Sequence, residues 1–293
     1  MTSVEEHVAL ARYTTIGTGG PARFFARPET LDELQQQLVW AADQGVAVET
    51  IGLGSNLLVA DEGVDALVLK LSGELAAARV DGETLVAGGG ASNAVALHRA
   101  REAGLGGFEF AAAIPGTAGG GVRMNAGAYG RDWREVMLDA VVVDAFGARL
   151  VTGDQLDLSY RHSSLGSGQV VAEVRFRLEP RPPEEVKARA AELLAQRKAT
   201  QPTNKRTFGS VFKNPAEGPG AGRLIEECGL KGHRIGGAQI SPRHANFIEN
   251  PGGATTVDCM ALMAEARRCV LERFGVRLEH EVQLIGPLEL PPL

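Results

Sequence analysis

Cysteine is scarce in this chain: Cys228, Cys259 and Cys269 are its only three in 293 residues. That number, so scattered, supports neither a disulfide framework nor a CxxC metal site, and it fits a reducing compartment. The His residues show no metal-ligand spacing, and His-x-x-x-His is absent, so no metal site is expected. Aromatics make up 5%, too few for a base-stacking nucleic-acid surface. Positive charge is also in deficit: the net charge is −6 and the pI about 5.6, which argues against a general binder of nucleic acid or membrane surfaces. No apolar run nears the roughly 18 residues that span a bilayer. Residues 1–11 include Glu5, Glu6 and His7 and lack the apolar core of a secretory leader. The expectation is a soluble, cytoplasmic protein.

Glycine is abundant, at 37 residues or about 13%, against a usual figure of roughly 7%. With 44% hydrophobic residues the chain can bury a sizeable core. Thr30-Leu31-Asp32-Glu33 reads as a capping box opening a helix that Gly45 stops. Strands are expected over 46–51 and 66–71, and Asp81-Gly82 marks a hairpin. A helix over 92–103, a hairpin about Phe146-Gly147 and an alternating strand over 170–178 follow. Pro180-Arg181-Pro182-Pro183 marks the main domain boundary. Helices over 184–199, 222–228 and 257–274 come next, then a strand over 276–285 with Val276, Leu278, His280, Val282 and Leu284 on one face. Strands and helices alternate without βαβ regularity, so the expected class is α+β.

Gly52-Leu53-Gly54-Ser55-Asn56-Leu57-Leu58 follows a strand and could converge backbone N–H groups on an anion. It is not a dinucleotide fingerprint, because Leu57 stands where the third Gly would fall, and not a P-loop, because no Lys-Ser/Thr follows. Alone, it reads equally as a tight turn. A second block has eight Gly between Gly106 and Gly130. Such density suits a large planar cofactor lying against backbone.

Seven motifs then occur in one order: Thr14-Thr15-Ile16-Gly17-Thr18-Gly19-Gly20-Pro21-Ala22, residues 52–58, 114–120 and 124–130, Tyr160-Arg161-His162-Ser163, and residues 209–215 and 281–286. In these the chain resembles the UDP-N-acetylenolpyruvoylglucosamine reductase (UDP-N-acetylmuramate dehydrogenase) family over nearly its whole length. The resemblance implies a two-part FAD-binding region of the vanillyl-alcohol-oxidase (PCMH) type, over 1–72 and 73–182, and a C-terminal α+β substrate-binding domain over 183–293. Gly168 leads directly into the 170–178 strand, so the chain looks like the family's shorter, type II form. Which residue covers the bound substrate in that form stays open.

The activity implied is an NADPH-dependent flavoenzyme oxidoreductase of peptidoglycan synthesis, serving cell wall biogenesis, cell shape and division. It reduces UDP-N-acetylglucosamine enolpyruvate to UDP-N-acetylmuramate, with noncovalent FAD passing the hydride. Negative charge developing beside the carboxylate calls for a cationic grip, a proton source and exclusion of water. By correspondence these roles fall to Arg161, Ser210 and Glu281. FAD contacts are expected from Gly52, Gly54, Ser55, Asn56, Leu57, Pro115, Gly116, Gly119, Gly120, Asn125, Gly127, Ala128 and Tyr129.

Charge distribution adds an argument of its own. From Arg197 to Arg243 nine cations stand against three acids, a net +6, which leaves −12 on the rest of the chain. A diphosphate-bearing sugar would use such a cluster, and Lys198, Lys213, Asn214 and Arg223 are the expected substrate contacts. Gln239, His244 and Asn246 sit in a further family-like segment without an assigned role. Two other readings compete. A flavin oxidase would often tether its cofactor through His or Cys, and neither occurs in 52–58 or 106–130. A non-catalytic nucleotide-binding protein would not need Arg161, Ser210 and Glu281 together. Oligomeric state and preference for NADPH over NADH are not readable.

Overall fold

The computed structural model describes residues 4–293; Met1–Ser3, the start of the segment read as carrying no leader, lie outside them. The chain forms two compact units.

The first unit contains Phe24–Leu53 and Ala66–Arg197, with the segment ending at Glu6. Helix α1 (Leu31–Asp43) starts as expected: the Thr30 side chain accepts the Glu33 N–H at 3.2 Å. The capping box is incomplete, however, because the Glu33 carboxylate takes the Glu29 N–H instead, at 2.8 Å. Gly45, at φ +64°, ends the turn that follows. Leu34, Leu38 and Ala41 face an apolar cluster with Leu67, Leu69 and Val143. The unit's main sheet is antiparallel, in the order 147–152, 137–144, 170–177, 84–88 and 78–81. Both predicted hairpins are in it, closing at Asp144↔Gly147 and Asp81↔Thr84.

Helix α2 (Asn93–Glu102), capped by Ser92, the short α3 (Ala118–Arg123) and the single turn α4 (Trp133–Val136) cover this sheet's apolar face. Trp133 is fully buried, with the rings of Phe108, Phe110 and Phe176 at 5.3, 5.5 and 6.0 Å. Gly121 is glycine for this reason: a Cβ there would lie 2.4 Å from the indole Cε2. Helix α5 (Pro183–Thr200) adds Val186 and Leu193 to the same core.

The second unit joins His7–Arg23, Gly54–Asp65 and Lys198–Leu293. Its four-stranded antiparallel sheet has the order 207–210, 247–249, 238–240 and 234–235. Phe208, Ala238, Ile240 and Ile248 share a core with α6 (Ala221–Glu227) and α7 (Thr256–Phe274). Thr255 and Asp258 form a complete capping box on α7, and Gly275 at φ +69° closes it.

The strand expected over 276–285 is much shorter, Gln283–Ile285. The whole stretch is extended but divides its backbone between partners. Lys213 N–H donates to the Glu279 carbonyl and Glu281 N–H to the Val211 carbonyl, at 2.9 and 2.8 Å. Residues 283–285 then pair in parallel with Leu57–Val59. Leu278 and Val282 reach the core as alternation predicts, whereas His280 is exposed.

Candidate active site

Three pieces of the site predicted from sequence lie in the first unit. The 114–120 loop is fixed from beneath by Asn93, whose side chain donates to the Ile114 carbonyl (2.8 Å) and whose N–H donates to that of Gly116 (3.0 Å). The Thr117 hydroxyl caps α3 by accepting the Gly120 N–H. In the 124–130 segment Gly127 and Ala128 pair with Asp132 and Arg131, and the Tyr129 hydroxyl donates to the Leu193 carbonyl at 3.2 Å. Arg161 sits in a tight turn closed by reciprocal backbone bonds between Ser159 and His162. Its φ is +55°, unusual for a residue with a Cβ. Its guanidinium lies over the Tyr160 ring, 5.1 Å from the centroid, and donates to the Gly127 carbonyl at 2.9 Å.

Asn125 holds that turn in place. It is 1% exposed; its amide N donates to the Asp132 carboxylate and the Ser159 carbonyl, and its oxygen accepts the Arg134 N–H. Both amide donors of Asn125 are thus used within the protein, and its oxygen keeps one acceptor position.

The glycines divide into two kinds. An ideal Cβ on Gly52 would meet the Thr117 hydroxyl at 2.8 Å, on Gly119 the Gly89 carbonyl at 2.9 Å, and on Gly127 the Arg131 carbonyl at 2.6 Å. Close packing of protein on protein explains these three. At Gly116 and Gly120 the nearest atoms are 3.6 and 3.4 Å away, which leaves room over the backbone. The sequence alone had no means of separating the two kinds.

The second unit holds the remaining pieces. Gly54, at φ +70°, has the Tyr13 carbonyl 1.9 Å from where a Cβ would lie, and its own carbonyl accepts the Thr15 N–H. Asn56 donates through its amide to the Glu281 carbonyl at 3.2 Å, and its own carbonyl accepts the Gln283 N–H at 3.0 Å. Gly209, at φ +82°, brings the strand bearing Ser210 against the Ser55 carbonyl. The bond from Glu281 N–H to Val211 places Glu281 beside the residue that follows Ser210. Ser55, Ser210 and Glu281 are all half-buried.

The segment bearing Ser210 is fixed by Asn246, 4% exposed, whose amide oxygen accepts the Phe212 N–H (2.9 Å) and whose nitrogen donates to the Phe212 carbonyl (2.8 Å). Asn246 N–H in turn donates to His244 Nδ1. Burial first, then Lys231, lowers the His244 pKa and favours the neutral ring. Gln239 accepts from Arg234 and donates to the Gly232 carbonyl. All three residues left without a role are bound up in the scaffold.

The expected substrate contacts are unequal. Arg223 is paired with Glu227 on the surface of α6, and Lys213 with Glu279 at 3.5 Å. The Asn214 side-chain amide oxygen Oδ1 accepts the Ala221 N–H at the start of α6. The Lys198 carbonyl accepts from Arg243, and its residue is exposed. Sequence reasoning missed Lys70, whose ammonium donates to the Gly52 carbonyl at 2.6 Å; burial and then Arg27 hold its pKa below the usual lysine range. The available signal was a lone charge after the apolar run Ala66-Leu67-Val68-Leu69.

Residues 22–153 match the family profile described as FAD binding domain, and residues 201–285 the C-terminal domain of UDP-N-acetylenolpyruvoylglucosamine reductase. A curated relative of that reductase name from Symbiobacterium thermophilum is 46% identical over 94% of this chain and 90% of its own. One from Anaeromyxobacter dehalogenans is 45% identical over 97% and 85%. The crystal structure of UDP-N-acetylenolpyruvylglucosamine reductase from Thermus caldophilus superposes with a TM-score of 0.84 at 37% identity, covering 98% of this chain and all of that one.

Proposed function

This chain belongs to the UDP-N-acetylenolpyruvoylglucosamine reductase family, and from that premise we propose the roles of its residues in reducing UDP-N-acetylglucosamine enolpyruvate to UDP-N-acetylmuramate. The enzyme is an FAD-containing, NADPH-dependent oxidoreductase of peptidoglycan synthesis. FAD, when bound, relays the hydride from NADPH to the vinyl CH₂ carbon of the substrate. The open backbone over Gly116 and Gly120 suits a flat group that a Cβ would displace. Gly52, Gly54, Ser55, Asn56, Leu57, Pro115, Gly119, Gly127, Ala128 and Tyr129 complete the cofactor set, with Asn125 as the clamp on the Arg161 turn.

Arg161 holds the enolpyruvyl carboxylate, where charge accumulates as the CH₂ carbon is reduced. The Ser210 hydroxyl protonates the adjacent carbon, and Glu281 assists from the neighbouring segment. Lys198, Lys213, Asn214 and Arg223 contact the nucleotide sugar, with Lys198 the stronger candidate among the cations, since Arg223 already has Glu227 and Lys213 has Glu279. The three functional parts are 1–72 and 73–182 for the cofactor and 183–293 for the substrate. Three free cysteines support a cytoplasmic site of action, and among the described residues no helix is long and apolar enough to cross a membrane.

The observation that carries the assignment of roles is the Glu281–Val211 backbone bond, which sets two motif residues far apart in sequence on adjoining segments. The test is Ser210→Ala. General-acid catalysis is worth about 10²–10⁴-fold, so turnover should fall by that order. Reduction of the flavin by NADPH should stay near wild type in stopped flow, while its reoxidation by the enolpyruvyl substrate slows. Normal rates in both half-reactions would remove Ser210 from the chemistry.

A further inference from the structure

Adjacent strands of the second unit's sheet place polar side chains in one row. Thr207 is in register with Glu249, Glu249 with Gln239, and Gln239 with Arg234. Register partners share a face, and the neighbouring Phe208, Ile248, Ala238 and Ile240 turn to the core. Three members of the row, Arg234, Gln239 and Glu249, line a cavity of about 400 Å³ together with Lys205, Arg243 and Asn250.

Its electrostatics are uncompensated. Glu249 is 6% exposed and lines the cavity. The Thr207 hydroxyl beside it is buried and unpartnered among the described residues. Lys205, Arg234 and Arg243 form no ion pair among the described residues: Arg234 donates to the Gln239 amide, and Arg243 to the Lys198 and Ala199 carbonyls. Burying a carboxylate is costly unless it is paired, and three cations around one acid favour an anion. A plain anion meets the cations but is repelled by Glu249. A plain amine does the reverse.

We propose that this cavity binds a small acidic amino acid, its ammonium group on Glu249 and its carboxylates toward Lys205, Arg234 and Arg243. The cavity lining includes none of the residues assigned to the enolpyruvyl substrate, although Arg243 donates to the Lys198 carbonyl, and the proposal does not depend on that assignment.

Calorimetric titration of the flavin-loaded protein at low ionic strength with L-glutamate, glutarate and butylamine tests it. Glutarate lacks only the amine, and butylamine lacks the carboxylates. A hydrogen bond to a charged partner is worth about ten- to a hundredfold in affinity, so glutamate should bind at least tenfold tighter than either. Glu249→Gln should weaken glutamate about tenfold and leave glutarate equal or tighter, with melting temperature and flavin content as checks on folding. Lys205→Ala should weaken both acids. Glutamate should still bind in the presence of saturating enolpyruvyl substrate. Equal binding of glutarate and glutamate to the wild type, failure of all three to bind, or displacement of glutamate by substrate would each overturn the proposal.

Discussion

Removing the Asn246 amide exposes how the Ser210 segment is held. In Asn246→Ala the Phe212 N–H and carbonyl both lose their partner, inside a side chain shell where Phe212 is 2% exposed. Each stranded buried backbone group costs about 1–3 kcal/mol, so the loss of two should be roughly 2–6 kcal/mol. For a protein of this size about 2–4 °C of melting temperature follows each kcal/mol, which gives a fall of roughly 4–24 °C. Differential scanning calorimetry of wild type and variant reads it directly. Asn246→Asp should do no better. It keeps an acceptor for the N–H but sets a carboxylate oxygen against the Phe212 carbonyl. A melting shift under about 2 °C for Asn246→Ala would refute the reasoning and mean that the 209–214 segment is fixed by packing alone.

Gly54→Ala places a methyl 1.9 Å from the Tyr13 carbonyl at a φ of +70°, so soluble yield and melting temperature should fall before flavin binding is in question. Gly120→Leu places its Cβ no nearer than 3.4 Å, to the Thr117 hydroxyl, and should fold with a normal melting curve yet purify with reduced flavin absorbance; full flavin content would reject the cradle. Gly121→Ala should destabilise by at least about 1–3 kcal/mol through overpacking against Trp133, read from its denaturation midpoint. Burial pushes the Cys259 thiol up to about 12 from 9.0, so its folded pKa lies above the unfolded one. Its contribution to stability is therefore complete below pH 9 and is lost as pH rises toward 12. The pH slope of unfolding in that window should be shallower in Cys259→Ala.

Local signals carried much of the fold. The cap at Thr30, turns at Gly82 and Gly147 and the alternation over 170–178 each act within a few residues, and each gave the element found. The final strand was overextended because alternation reports burial, not pairing: Leu278 and Val282 are buried without a continuous ladder. The site was legible as motifs but not as mechanics. Asn246 acts on a backbone 34 residues away and Asn125 on the Ser159 carbonyl; no periodicity encodes such bonds. Glycine at 54 and glycine at 120 look alike in a sequence, although one is crowded by a carbonyl and the other is open.

The bond between Asn56 and Glu281 joins residues 225 apart, and it has a bearing on biosynthesis. A ribosome releases the chain from its first residue onward, and domains close as their parts emerge. The unit built around the 78–177 sheet has all its segments once Arg197 is out. The other unit does not: 54–59 has no strand beside it until 283–285 has been made. From the emergence of Arg197 until 283–285 is made the nascent chain therefore bears one finished half and a short edge awaiting its mate, and the half holding Ser210 and Glu281 is the last to exist.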